Sequence, residues 1–245
     1  MHLKLLAVAT LVLLAGCAGR TAMEAGSPGL ADGFRLTAFG NEFRAGFDFI
    51  RKFTAPVHVR LETDVEKTPI PAELARLAAR VNGFTGRQIF AGPENDSAGP
   101  EILVGFRARR DNMDRARQVY GTSGRGQRVA RMIEFASCAF EMNAPGGELR
   151  VVHVFINDNG NDTMHANCVH EEVTQALGLP NDNSSLSLSM FNDTGGVDRI
   201  GTYDLCLVAM LYDPRIRPGM TPDEVMPLLP AVIADLPADC RRYAR

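Results

Sequence analysis

The chain has no tryptophan, and lysine is scarce: three lysines stand against 23 arginines in 245 residues, a skew that reflects a GC-rich genome more than any chemistry. It also lacks a block of like charge or a basic stripe, and 26 basic against 29 acidic residues leave a net charge of −3. A nucleic-acid footprint needs clustered cations that displace counterions from phosphates, so that class of partner is excluded. No phosphate-binding loop, dinucleotide glycine fingerprint or G-x-S-x-G elbow is present, which removes the commonest nucleotide and serine-hydrolase chemistries. No internal repeat or low-complexity tract interrupts the sequence. No apolar run reaches the roughly 20 residues that a membrane-spanning helix needs.

What is present begins at the N-terminus. Residues 1–4 are weakly positive and residues 5–14 almost wholly apolar, the make-up of a signal peptide. They lead into Leu14-Ala15-Gly16-Cys17, which resembles a bacterial lipobox. That resemblance implies removal of residues 1–16, acylation of Cys17 with palmitate-type chains, and a mature chain of 229 residues with charge −4. Each buried methylene of such an anchor adds about 0.8 kcal/mol of membrane affinity. Ala18 follows, with no acidic residue to suggest retention at the inner membrane. The expected location is therefore the periplasmic side of the outer membrane. Residues 17–33 are small, polar and glycine-rich and read as the lipidated cysteine with a flexible tether. Residues 34–245 are enough for a single domain with its own core.

Setting Cys17 aside leaves Cys138, Cys168, Cys206 and Cys240. An even number in an oxidising compartment favours disulfides, and three connectivities are open. Cys138–Cys168 and Cys206–Cys240 are preferred because each closes a loop of about 30 residues, which corresponds to roughly 3–4 kcal/mol of stabilisation. A four-cysteine metal site is the poorer alternative, since no pair has C-x-x-C spacing.

Alternation of Val57, Val59 and Leu61 with polar neighbours predicts a strand. Pro71 opens a helix with Leu74, Leu77, Ala78 and Val81 on one face, closed by Asn82-Gly83. Residues 102–106 read as a buried strand, and Met113, Ala116 and Tyr120 as one face of a short helix. Residues 132–140 and 149–156 read as two strands of a hairpin through Asn143-Ala144-Pro145-Gly146-Gly147. Helices are expected over residues 163–178 and 202–212, the second stopped before Pro214. Thr221-Pro222-Asp223-Glu224 has the form of a capping box. Strands and helices in this mixture predict an α+β or mixed α/β fold.

The most distinctive stretch is His170-Glu171-Glu172-Val173-Thr174-Gln175-Ala176-Leu177-Gly178-Leu179. On a helix it places Val169, Val173, Ala176 and Leu177 on one side and Glu171, Gln175 and Gly178 on the other, with Glu172 at the edge. An ordinary amphipathic surface helix has the same pattern. The spacing also resembles the zinc peptidase helix H-E-x-x-H, two ligands one turn apart with a glutamate beside the first to activate water. Glu171 and Gln175 stand at the ligand positions and Glu172 at that of the catalytic base. Gly178 and Asn181 match the glycine and third ligand of the longer metzincin motif, with Asp182 beside them. Ala209-Met210-Leu211-Tyr212 is similar to the methionine turn beneath a metzincin metal. The resemblance implies a zincin-like (metzincin-like) mixed sheet, a central helix carrying a degenerate metal motif, and a cleft that includes Asp182, Met210 and Tyr212. Both histidines are missing. Glu, Gln and Asn suit a hard cation or no metal, so no cofactor is expected, one divalent metal ion being the alternative.

Three ordered blocks carry a closer resemblance: residues 171–182, Ser189-Met190-Phe191-Asn192-Asp193, and residues 211–220. Together they resemble domain-of-unknown-function family 2927, a proteobacterial group with many members read as lipoproteins. That resemblance covers roughly residues 34–235 and implies location and fold more than activity. Where the family commonly has a large apolar residue this chain has His170, which argues against that histidine as a ligand.

Other candidates carry less. Residues 157–162 and 181–193 are rich in oxygen donors but miss EF-hand spacing, and read as turns and caps. His153 lies in an apolar strand and reads as a satisfied core residue. Arg215 and Arg217 offer either an anion site or a paired surface. The function expected is that of a cell-envelope lipoprotein whose pseudo-metallopeptidase domain binds or assembles with an envelope protein or glycan. The alternative is a metal-dependent hydrolase, directed at peptide or peptidoglycan, with a Glu/Gln/Asn site.

Overall fold

The computed structural model describes residues 26–40, 48–63, 65, 68–91, 99–192, 194 and 197–245. The signal segment, Cys17 and Asp193 lie outside the described residues. Four strands form one mixed sheet in the order β1-β2-β4-β3: β1 (His58–Thr63), β2 (Glu101–Arg107), β3 (Cys138–Met142) and β4 (Val151–Asn157). β1, β2 and β4 are parallel, and β3 is antiparallel to β4 at the sheet edge. Parallel neighbours need crossovers, and the fold is α+β with eight α-helices among the described residues. The first helix, α1 (Leu30–Ala38), precedes the sheet, and α2 (Ile70–Thr85) joins β1 to β2. The pair α3 (Arg109–Tyr120) and α4 (Arg125–Phe135) leads from β2 to β3, and α5 (Asp162–Gln175) follows β4. The chain closes with α6 (Thr202–Leu211), α7 (Pro222–Val225) and α8 (Leu229–Ala234).

Successive side chains of a strand face opposite ways, and both faces of this sheet are covered. Ile102, Val104 and Phe106 of β2, Phe140 and Met142 of β3, and Val152, Val154 and Ile156 of β4 all enter the main core. Ala139 and Phe155 face the other way and pack with Ala116, Val129 and Ile133 of α3 and α4 in a small second cluster. Nine consecutive residues of α6, from Tyr203 to Leu211, are buried, which fits a helix apolar on nearly all sides. Burying each of its leucines contributes roughly 1.5–3 kcal/mol. Cys206 on this helix is bonded to Cys240, and Cys138 at the start of β3 is bonded to Cys168 on α5, the preferred pairing.

Several elements differ from expectation. Residues 132–135 belong to α4, not to the first arm of the hairpin, because Val129, Ala130 and Ile133 form a helical apolar stripe. Residues 30–33, expected within the flexible segment, belong to α1. Leu30, Phe34 and Ala38 repeat at helical spacing and are fully buried, and Gly33 lies so close to Tyr203 that a Cβ there would sit 2.0 Å from the phenol oxygen. The second helix runs on past Asn82-Gly83 to Gly86, whose φ of 62° ends it. Asn82 instead brackets the next segment, accepting from the N–H groups of Ile89 and Phe90 and donating to the Phe90 carbonyl. The helix expected over residues 163–178 closes at Gln175.

Lys52 is one of few lysines and is buried. Its Nζ donates to the carbonyls of Leu211 at 2.7 Å, Ile216 at 2.8 Å and Asp213 at 3.4 Å, capping the end of α6 and the turn beyond it. Burial lowers its pKa to about 8 against the opposing charge of Asp213. On its own backbone, Lys52 bonds to Gly147 and Leu149, so one residue ties the hairpin loop to the α6 turn.

Candidate acidic cleft at the sheet edge

The site grows from the junction of β3 and α5. Asn161 starts α5 by accepting from the Met164 N–H at 3.1 Å, and Cys168, Val169 and Val173 turn into the core. Glu171, Glu172 and Gln175 then fall toward β3, held there by the Cys138–Cys168 bond. Residues 136–140 form one wall of a cleft of about 250 Å³, and Met164, Glu171, Glu172, Gln175 and Asp182 form the other. Three carboxylates thus line one small cleft. Gln175 is buried, and its Nε2 donates to Asp182 Oδ1 at 2.6 Å. On the far side of Glu171 a second cleft, of about 300 Å³, is lined by Met164, Asn167, Met190, Asn192 and Asp198. Glu171 borders both clefts.

The structure brings Glu171, Glu172, Gln175 and Asp182 together and leaves the other expected residues elsewhere. Asn181 does not line the cleft; its Nδ2 donates to the Leu36 carbonyl at 2.7 Å and its N–H to that of Thr37, which pins α1. Met210 is fully buried inside a helix rather than in a turn. Tyr212 donates to the Leu177 carbonyl at 3.0 Å, holding the end of the α5 region from behind. Both are structural supports: Met210 lies in a helix buried from Tyr203 to Leu211, and the Tyr212 hydroxyl is spent on a backbone carbonyl. Gly178 is required by its φ of 121° and by a Cβ that would meet the Arg51 carbonyl at 1.9 Å.

A metzincin-type metal does not fit these residues. Gln175 offers only a neutral amide oxygen where zinc wants imidazole, thiolate or carboxylate, and Asn181 lies outside the cleft, so no reaction step is derived through such a metal. One other convergence stands out: carboxylate oxygens of Glu171 and Glu172 and the sulfur of Cys138 lie within 4.8 Å of one another. With the sulfur locked in a disulfide, it is no thiolate donor.

The remaining candidates are accounted for locally. His170 points to α2, its Nε2 3.4 Å from Glu73 Oε2, and burial draws its pKa down. In the 157–162 loop, Asp158, Asn159 and Asn161 accept from nearby backbone N–H groups, and Asn157 donates to the carbonyls of Ile133 and Ala136. Arg215 makes two 2.8 Å contacts to Asp213 and one of 2.9 Å to Asp235. His153 belongs to the smaller layer, with Nδ1 2.7 Å from the Tyr120 hydroxyl.

Residues 136–140 were missed as a cleft wall from sequence, although the signal existed. Cys168 precedes Glu171 and Glu172 by three and four residues, so the favoured disulfide already placed Cys138 beside both. Among the described residues no helix is long and apolar enough to cross a membrane.

Fold and cleft together define an α+β domain with an acidic groove between an edge strand and a central helix. Residues 28–231 match the model of a family described as Protein of unknown function (DUF2927), and the chain belongs to that family. No curated protein and no solved structure matches it.

Proposed function

We propose that the chain is an envelope lipoprotein, anchored through Cys17 on the periplasmic side of the outer membrane, whose zincin-like domain binds an extended basic polypeptide without cleaving it. The observation that carries this reading is the pairing of an edge strand with an acidic groove. Asn157 donates to the Ser137 carbonyl, so by antiparallel alternation Cys138 and Phe140 turn their N–H and C=O groups to the rim. An added strand gains backbone hydrogen bonds there, and its cationic side chains compete for the carboxylates of Glu171, Glu172 and Asp182. The zincin-like reading is supported by the β3–β4 hairpin running directly into the motif helix. The pseudo-enzyme reading is supported by the donor set, in which a neutral amide at Gln175 replaces an imidazole and Asn181 is turned to the Leu36 carbonyl.

Calorimetric titration with extended peptides alternating arginine and apolar residues tests the proposal. Binding is expected to weaken with salt and in Glu171→Gln, and to protect the Cys138 and Phe140 amides from exchange. Equal binding of acidic peptides sinks it, as does glycan binding alone. Palmitate labelling lost in Cys17→Ser tests the anchor. A second reading is favoured by the close approach of Glu171 and Glu172: a metal-dependent hydrolase with Glu171 as ligand and Glu172 as base. Divalent-cation-dependent peptide or peptidoglycan hydrolysis, abolished in Glu172→Gln, would establish it over the first.

A further inference from the structure

We infer that opening the Cys138–Cys168 disulfide converts the cleft into a zinc site, with ligands Cys138, Cys168, Glu171 and Glu172. This does not rest on peptide binding at the same groove. The Sγ of Cys138 already lies within 4.8 Å of an oxygen from each glutamate, and Cys168 Sγ is bonded to it. Cys168, Glu171 and Glu172 stand at positions i, i+3 and i+4 of α5, neighbours on one helix surface. Only Cys138 comes from another element, and β3 fixes it with a Cα–Cα separation of 5.8 Å from Cys168.

Oxidised, the group offers carboxylates and a disulfide, which is no ligand for zinc. Reduced, it offers two thiolates and two carboxylates, the donor number and type of a closed tetrahedral zinc site. Zinc–sulfur and zinc–oxygen bonds of about 2.3 and 2.1 Å set tetrahedral donors roughly 3.4–3.8 Å apart. Reaching that geometry needs the glutamate oxygens to draw in by about an ångström, within the freedom of their side chains, and the two sulfurs to part. Any partner that now engages these carboxylates is exchanged for the metal or shared with it. The cleft borders Cys138 and not the buried Cys168, so a reductant meets Cys138 first and Cys168 leaves as the thiolate.

The chemistry balances. In a cell a dithiol supplies the two electrons and departs as its own disulfide; in the test a neutral phosphine and one water give two thiols and the phosphine oxide. Zinc then binds with release of both thiol protons. The other disulfide is an internal control, since Cys206 and Cys240 are buried away from these glutamates.

The experiment uses the full chain in mild detergent, before and after reduction by tris(hydroxypropyl)phosphine and removal of the phosphine. Zinc is titrated against a chromophoric chelator, and cadmium is followed through its ultraviolet thiolate charge-transfer band. Expected are about one equivalent of metal and the band in the reduced chain only, both retained in Cys206→Ser/Cys240→Ser and lost in Cys138→Ser/Cys168→Ser. Glu171→Gln/Glu172→Gln is expected to weaken zinc by about tenfold or more while keeping the cadmium band. Should reduction unfold the chain, zinc is expected to refold it, seen by circular dichroism. Equal zinc binding by oxidised and reduced protein overturns the proposal, and so does full affinity in the double glutamine variant. Failure to refold after reductive unfolding does the same.

Discussion

The two faces of the sheet are built from alternate residues of the same strands, yet they are held by different means. The face under α2, α5 and α6 carries the main core and both disulfides. The face under α3 and α4 has a five-residue apolar cluster and relies on polar groups. There Arg125 donates to Glu141 at 2.6 Å and lies over the Tyr120 ring, Tyr120 meets His153, and Asn112 donates to Asn157 at 3.1 Å. Apolar area and cross-links hold one side, whereas directional polar contacts make the other selective and easier to disturb. The α3–α4 layer is thus expected to open first, as a local unit.

Matched substitutions test this contrast most strongly. Phe106→Ala on the main face is expected to cost about 3–5 kcal/mol and to lower the single cooperative transition. Phe155→Ala on the other face is expected to cost less and to raise hydrogen exchange mainly in α3 and α4; identical global effects would abolish the distinction. Next in size, Cys206→Ser/Cys240→Ser is expected to lose about 3 kcal/mol by denaturant titration, without loosening α3–α4. Asn157→Ala should follow at about 2 kcal/mol, since it leaves the carbonyls of Ile133 and Ala136 without their donor.

The smallest effects are in pH, and the two faces oppose each other. Burial pulls the His153 pKa from 6.5 to about 4, so the unfolded chain binds more protons between those values. Stability from this group rises with pH from about 4 to 6.5 and is lost on acidification. Asp204, fully buried beneath Ser189, has its pKa pushed from 3.8 to about 6 by desolvation. Its folded form binds more protons, so its contribution is present below 3.8 and lost as pH rises through 6. His153→Gln is expected to flatten the acid-side fall of the melting temperature, and Asp204→Asn to steepen it. Equal pH profiles in both variants would refute the assignment.

Much of the main face was legible in the sequence, because burial there follows regular periods. The buried strand β2, the largely apolar α6, the capping box at Thr221 and the disulfide pairing all declare themselves through spacing. The thin layer did not. Met132-Ile133 runs apolar into the following strand, and only tertiary contact with Ala139 and Phe155 decides for helix. Leu30–Gly33 hid among glycines, of which Gly33 serves a close approach to Tyr203 and Gly29 one to Arg245. Of the cleft, the helix side was readable from its i, i+3 and i+4 spacing. Asn181 and Met210 were misplaced because a motif register carries no information on which way the following loop and helix turn.

The carbonyl clamp on Lys52 has a practical consequence for finding partners. Its amine is enclosed by three backbone oxygens, so acylating reagents are expected to leave it unmodified. If cleavage before Cys17 removes Lys4, Lys67 is the only other lysine of the processed chain. Amine-directed cross-linking therefore has at most one lysine through which to report. Its silence would say nothing about the acidic groove, where carboxylate-directed or photoactivated chemistry has to be used.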